Sequence, residues 1–145
     1  SLVNMGLLGV AGSLYVYFTK TPFNGPVIGG LLTLIGFGSF GKHLNNSLPV
    51  VAGVLIGCLL FGKNPSDPGP ALAALFCTTL APIAGEYGKM AGVAAGVIHL
   101  TMVERTGAWH SGMDLYNNGF AGGLTATLLV AVIEWYRSNI KKSES

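Results

Sequence analysis

Charged side chains lie so far apart along this chain that most of it runs through uninterrupted apolar residues. Six stretches contain no Asp, Glu, Lys or Arg: Ser1 to Thr19, Thr21 to Gly41, His43 to Gly62, Pro68 to Gly85, Met90 to Val103 and Leu115 to Ile133. A helix rises about 1.5 Å per residue, so crossing a hydrocarbon core of about 30 Å takes about 20 residues. Five stretches approach that length, whereas Met90 to Val103 would cover only about 21 Å. A membrane β-barrel would alternate polar and apolar residues, and Val50-Val51-Ala52-Gly53-Val54-Leu55-Ile56-Gly57 does not. The expectation is an all-α integral membrane protein. Its apolar segments are placed near residues 1–19, 25–41, 48–62, 70–85, 90–103 and 115–136, some short, kinked or re-entrant, with a basic cytoplasmic tail over 137–145.

Composition excludes the alternatives. Charged residues make up 10% of the chain and hydrophobic residues 50%, against about 25% charged in soluble domains. Such a chain cannot cover a globular surface with polar groups, and it is too apolar to be disordered. The net charge of +2 comes without a basic stripe, which argues against nucleic acid. Cys58 and Cys77 lack metal-ligand or CxxC spacing and read as small core residues. No cofactor or metal is expected, and the bilayer is the first partner. Ser1 to Lys20 has no basic leading region and reads as a membrane helix, not a signal peptide. The start at Ser1 suggests a processed or truncated chain with a missing N-terminal half. Arg137, Lys141 and Lys142 follow the last apolar stretch and place the C-terminus in the cytoplasm by the positive-inside rule. If every stretch spans, that side also holds Lys42 and Lys89, and the other holds Lys20, Lys63 and Arg105.

Glycine recurs at four-residue spacing in Gly88, Gly92 and Gly96, in Gly53 with Gly57, in Gly25 with Gly29, and in Gly119 with Gly123. On a helix this spacing makes a groove where a neighbouring backbone can approach closely. Gly29, Gly30, Gly122 and Gly123 belong to a second pattern, aromatic-Asn-x4-Gly-Gly-Leu. It occurs at Phe23-Asn24 with Gly29-Gly30-Leu31 and again at Tyr116-Asn117 with Gly122-Gly123-Leu124. An internal repeat of this kind would mark asparagine-bearing breaks, each opening a helix with a bare glycine face, as in discontinuous transporter helices. The GxGxxG at Gly36 to Gly41 lacks both a following helix signal and a well-placed acid, so it does not read as nucleotide binding.

Three polar groups interrupt the apolar background. Gly41 to Pro49 reads as an interfacial turn with Lys42 and His43 among the headgroups, or as a pore mouth carrying His43, Asn45 and Asn46. Glu104 to Phe120 holds His110 and Asp114 four residues apart, a spacing that suits one helix face, but Gly107 and Gly112 weaken a regular helix. Two ligands are too few for a metal. Within the apolar stretches, His99 fits snorkelling or a hydrogen bond to a neighbouring helix better than a solute contact, Thr78 and Thr79 can bond back to the preceding turn, and Pro82 is expected to kink its helix.

Three runs carry a likeness to known sequences: Phe23-Asn24-Gly25-Pro26-Val27-Ile28-Gly29-Gly30-Leu31-Leu32, Gly41-Lys42-His43-x-x-Asn46-x-x-Pro49, and His110-Ser111-Gly112-x-x-Leu115-Tyr116-Asn117-Asn118-Gly119-Phe120. With them the chain resembles a family of bacterial polytopic membrane proteins described as a domain of unknown function, matching the later part of a longer member. The resemblance implies a bacterial inner-membrane location and no particular activity. A fainter likeness is to one repeat of the urea channels, whose opening motif Asn24-Gly25-Pro26 interrupts and whose turn Leu115-Tyr116-Asn117-Asn118 shifts.

The functional expectation is a channel or transporter for a small polar, neutral solute, with Asn24, Asn117, Asn118, His110, His43 and Asn46 near the pathway. Amides both donate and accept hydrogen bonds and suit an uncharged solute. Packing is assigned to Gly29, Gly30, Gly53, Gly57, Gly88, Gly92, Gly96, Gly122 and Gly123. One alternative is a structural or assembly subunit, homo-oligomeric or part of a larger membrane protein. Another is an intramembrane enzyme using His110 and Asp114 with Glu104. No GxSxG or HExxH motif accompanies those residues, and no catalytic residue is assigned.

Overall fold

A computed structural model describes residues 1–110 and 114–143, with side chains over 1–109 and 117–143. Among the described residues all regular structure is helical. The helices are α1 (Leu2–Phe18), α2 (Gly25–Phe37), α3 (Leu44–Leu60), α4 (Pro68–Phe76), α5 (Ala81–Tyr87), α6 (Lys89–Thr106) and α7 (Asp114–Ser143). A 3-10 turn, Cys77–Leu80, joins α4 to α5, so Pro68–Tyr87 forms one 20-residue apolar segment with a break near its middle. Six helical segments result. The third starts at Leu44, earlier than the expected 48, because His43 and Asn46 cap it, and Pro49 lies inside it. The last continues through Arg137, Lys141 and Lys142, so the basic residues extend a helix.

Neighbouring segments alternate in direction. Gly9 and Gly12 of α1 lie against Ile35, Leu34 and Leu31 of α2, while Gly38 reaches back to Met5. The broken segment and α7 run the same way, since Gly122 meets Thr79 and, farther along, Tyr87 Oη donates to Glu134 Oε1 at 2.9 Å. As a result α3 and α6 are parallel: Pro49 meets Gly92, Gly53 meets Gly96, and Lys63 Nζ pairs with Glu104 Oε1 at 2.6 Å. One end of the bundle therefore carries Lys42, Lys89 and Arg137, and the other Lys63 and Arg105.

The α3–α6 crossing is where glycine is required. A Cβ at Gly53 would overlap the carbonyl oxygen of Val93, and one at Gly96 would overlap that of Val50. Gly57 fits under Leu100 and Gly92 under Ala84. Gly88 departs from the expected groove: with φ of +98° and open space around it, it forms the turn between α5 and α6. Gly123 also faces open space, whereas Gly30 packs on Leu75 and Phe76 of α4. The Gly29 carbonyl accepts the Thr33 hydroxyl at 2.8 Å.

Two apolar clusters share the broken segment. Leu72 and Leu75 join α1 and α2 through Leu8, Val16, Leu31 and Leu34. Ala73, Ala74, Cys77, Leu80 and Ile83 join α3 and α6 through Val50, Val54, Ala95 and Leu100. Large apolar side chains also cover the outside, among them Leu2, Val10, Leu32, Leu59, Leu128 and Val132. Pro68–Tyr87 and Asn117–Ser143 are long and apolar enough to cross a membrane, each with mean hydropathy 1.3, and α1 to α3 are shorter apolar helices.

Gly96→Ala should lower stability by about 1–3 kcal/mol, because the rigid Val50 carbonyl cannot give way. Gly36→Ala meets nothing within 4 Å and should be neutral or stabilise by up to about 1 kcal/mol through helix propensity. Thermal melting of the two variants in detergent checks both.

Candidate functional site

The break in Pro68–Tyr87 follows from three consecutive side chains and a proline. Cys77 Sγ, Thr78 Oγ1 and Thr79 Oγ1 donate to the carbonyls of Ala74, Leu75 and Phe76 at 3.0, 2.8 and 2.9 Å. Each bond goes back three residues and tightens the turn. Pro82 has no N–H to give the Thr78 carbonyl, and the Ala81 N–H takes that acceptor in 3-10 fashion.

Polar groups converge on this break from two sides. On one side α6 and α7 form a buried seam. Asn117 Nδ2 donates to the Val103 carbonyl at 2.7 Å, and the Thr106 hydroxyl lies 2.6 Å from Asn117 Oδ1 and 2.8 Å from the Met102 carbonyl. His99 Nε2 is 3.2 Å from Asn118 Oδ1. With that oxygen accepting, Nε2 carries the ring proton and Nδ1 is a bare acceptor. His99 Nδ1 and Thr125 Oγ1 are buried with no hydrogen-bond partner among the described residues. Gly122 lets α7 come close to the break and to His99: a Cβ there would sit 3.2 Å from Thr79 Oγ1 and 3.8 Å from His99 Cε1.

On the other side stands Lys42, from the link between α2 and α3. It is 7% exposed. Its ammonium donates to Thr78 Oγ1 at 2.9 Å and lies 4.8 Å from the Phe37 ring centre. The geometry is consistent, since Thr78 spends its own proton on Leu75 and offers lone pairs to lysine. Asn4 holds the link from α2 to α3 in place by donating to the carbonyls of Gly38 and Lys42 at 2.8 and 2.5 Å. Among the described residues the ion pair is Lys63–Glu104, and no carboxylate pairs with Lys42. Burial pulls its pKa down to about 8, with Cys77 acting in the opposite, smaller sense. Nothing in composition or spacing marked this lysine, because only the tertiary fold brings residue 42 to residue 78.

Asn24, His43 and Asn46 are placed apart from the seam. Asn24 is exposed and caps α2, its Oδ1 accepting from the Val27 N–H at 3.0 Å. Asn46 caps α3: its Oδ1 accepts from the His43 N–H at 2.9 Å and its Nδ2 donates to the Gly41 carbonyl at 3.2 Å, while the His43 side chain is exposed. The side chains of His110, Asp114 and Tyr116 lie outside the described residues. Among the described residues no cluster of three His, Cys, Asp or Glu side chains could hold a metal. The two aromatic-Asn-x4-Gly-Gly-Leu copies open α2 and the early part of α7, and their glycines Gly30 and Gly122 flank the same broken segment, at Leu75 and at Thr79.

Lys42 sets a pH dependence with a definite sign. Its folded pKa of about 8 lies below the ordinary 10.5, so folding disfavours the charged form and the penalty is fully present below pH 8. The melting-temperature advantage of Lys42→Met over the natural protein should be largest there. It should shrink as pH rises from about 8 toward 10.5, where the unfolded lysine also loses its proton. Asn24→Ala should cost about 1 kcal/mol through the lost cap, measurable by the same melts.

A family described as a protein of unknown function, DUF1576, matches residues 1–135. No curated protein and no solved structure matches the chain. Because the match covers the six helical segments up to the start of the basic tail, the chain belongs to the DUF1576 family.

Proposed function

We propose that the chain is a membrane-embedded protein that binds and passes a small, uncharged polar solute along the α6–α7 seam at the break in Pro68–Tyr87. The observation that carries this reading is that His99 Nδ1 and Thr125 Oγ1 are buried without a hydrogen-bond partner among the described residues, as Tyr15 Oη also is. Native proteins pair nearly all such atoms, and a solute with donors and acceptors would supply the partners. Helices interrupted within an apolar segment are where membrane transporters place their binding groups. The seam holds amides, hydroxyls and an imidazole, which favours an uncharged solute over an ion. Asn24, His43 and Asn46, at the starts of α2 and α3, would serve the entrances, and His110 the link into α7.

Membrane insertion rests on the apolar exterior and on the two long apolar segments. The end bearing Lys42, Lys89, Arg137, Lys141 and Lys142 would face the cytoplasm under the positive-inside rule.

Proteoliposomes challenged with a glycerol or urea gradient test the reading by stopped-flow light scattering. The natural protein should speed solute entry over empty vesicles, and Asn118→Leu or Thr125→Val should reduce that gain at least tenfold while the fold persists. Absence of any gain across a panel of small neutral solutes would sink it.

A second reading, an assembly subunit, is favoured by α7. Only 17% of its most apolar window is buried, and Leu128, Val132 and Trp135 stand exposed along it. A self-associating face there should give a discrete oligomer in native mass spectrometry from mild detergent, lost with Leu128→Glu. A monomer under all detergents tried would remove this reading.

A further inference from the structure

The Lys42 ammonium has three protons to donate and, among the described residues, one hydrogen-bond acceptor, Thr78 Oγ1. Its remaining directions are bounded by the Phe37 ring and by a cleft of about 500 Å³ lined by Phe37, Phe40, Lys42, Asn46, Thr79 and Pro82. A cation buried to this degree without a carboxylate is costly to keep, and hydrophobic residues of similar volume would serve packing better. The Thr78 hydroxyl and the Phe37 face solvate one side of the ammonium and lower that cost in part. The start of α3 two residues later acts the other way, because the positive end of its dipole faces the same link and favours an anion there. The remaining need is a negative charge in the cleft.

We propose that this cleft, between the α2–α3 link and the start of α5, binds a phosphate-type oxyanion on the Lys42 ammonium. The two phenyl rings, one of them the strongly exposed Phe40, would flank an apolar portion attached to that group. Asn4 acts as a positioning residue, since its two bonds to the Gly38 and Lys42 carbonyls fix the link that carries the ammonium. The bundle end that bears Lys42 also carries Lys89 and Arg137, with Glu86 and Glu134 beside Tyr87, so the anion would be held by the Lys42 ammonium itself and not by the overall field of that end. A phospholipid headgroup and a free phosphate share this chemistry. The site is separate from the α6–α7 seam and goes beyond the solute-passage reading.

Purified protein in neutral detergent is titrated with inorganic phosphate at constant ionic strength. In parallel, it is placed in nanodiscs of phosphatidylglycerol or phosphatidylcholine and melted. Saturable stabilisation by phosphate assigns a soluble ligand, and stabilisation by phosphatidylglycerol over phosphatidylcholine assigns the lipid. For whichever probe binds, Lys42→Met should weaken binding at least tenfold, Lys42→Arg should retain most of it, and Lys63→Met should leave it unchanged. Should Lys42→Met fail to fold, acylation of Lys42 in the natural protein, followed by peptide mass spectrometry, should slow at least threefold when the bound probe is present. Failure of both probes to bind, binding by a folded Lys42→Met equal to that of the natural protein, or acylation unaffected by the probe would overturn the proposal. Because binding is read without flux, a protein that passes no solute can still support it, and one that passes solute can still refute it.

Discussion

Burial of the segment Pro68–Tyr87 holds the rest of the molecule together. Its α4 half faces α1 and α2 through Leu72 and Leu75, and the same segment faces α3 and α6 through Ala73, Cys77, Leu80 and Ile83. Neither helix pair could form the observed bundle without it between them. A segment enclosed on both sides must satisfy its own backbone, because lipid offers no hydrogen bonds. The threonine and cysteine side chains at the break do part of that work by bonding the carbonyls behind them. The break survives because it is enclosed, and being enclosed it gathers polar groups from both flanks.

The second constraint is contact without side chains. Where α3 crosses α6, backbone atoms of Val50 and Val93 occupy the space that a Cβ at Gly96 or Gly53 would need. In lipid, where apolar surface gains little by meeting other apolar surface, such close approach supplies the packing attraction. The parallel course of α3 and α6 then fixes the antiparallel path of the segment linking them. That path brings Thr78 and Thr79 between Lys42 and Gly122. Glycines that carry no polar group thus decide which polar residues meet.

The bare spacing of glycine did not separate its roles. Gly88, Gly92 and Gly96 share one period, yet Gly92 and Gly96 are packing positions and Gly88 is a turn with positive φ. The difference lies in what precedes each one: Pro82 and the tight turn before it end the segment at Tyr87, and only a residue tolerant of φ near +98° can start α6 there. The asparagines divide in a similar way. Asn24 and Asn46 act locally as caps, which short-range rules can read. Asn117 and Asn118 are held by Val103, Thr106 and His99, partners 11 to 19 residues away, and only helix pairing selects them.

What the sequence by itself determined is the class of structure: charge-free stretches long enough for helices, their approximate ends, a helix start after Asn24, and a distortion near Thr78-Thr79 and Pro82. Each depends on properties within one turn or one segment, hydropathy, capping and the missing proline N–H, and those are local. Only the tertiary structure decided that Lys42 meets the Thr78 hydroxyl, that His99 meets Asn118, and that the two glycine-bearing copies of one pattern flank one broken segment. Those outcomes depend on which helices touch and in which direction they run. In a chain whose helices are apolar on nearly every side, the hydropathy pattern does not distinguish the face that meets a neighbour from the face that meets lipid.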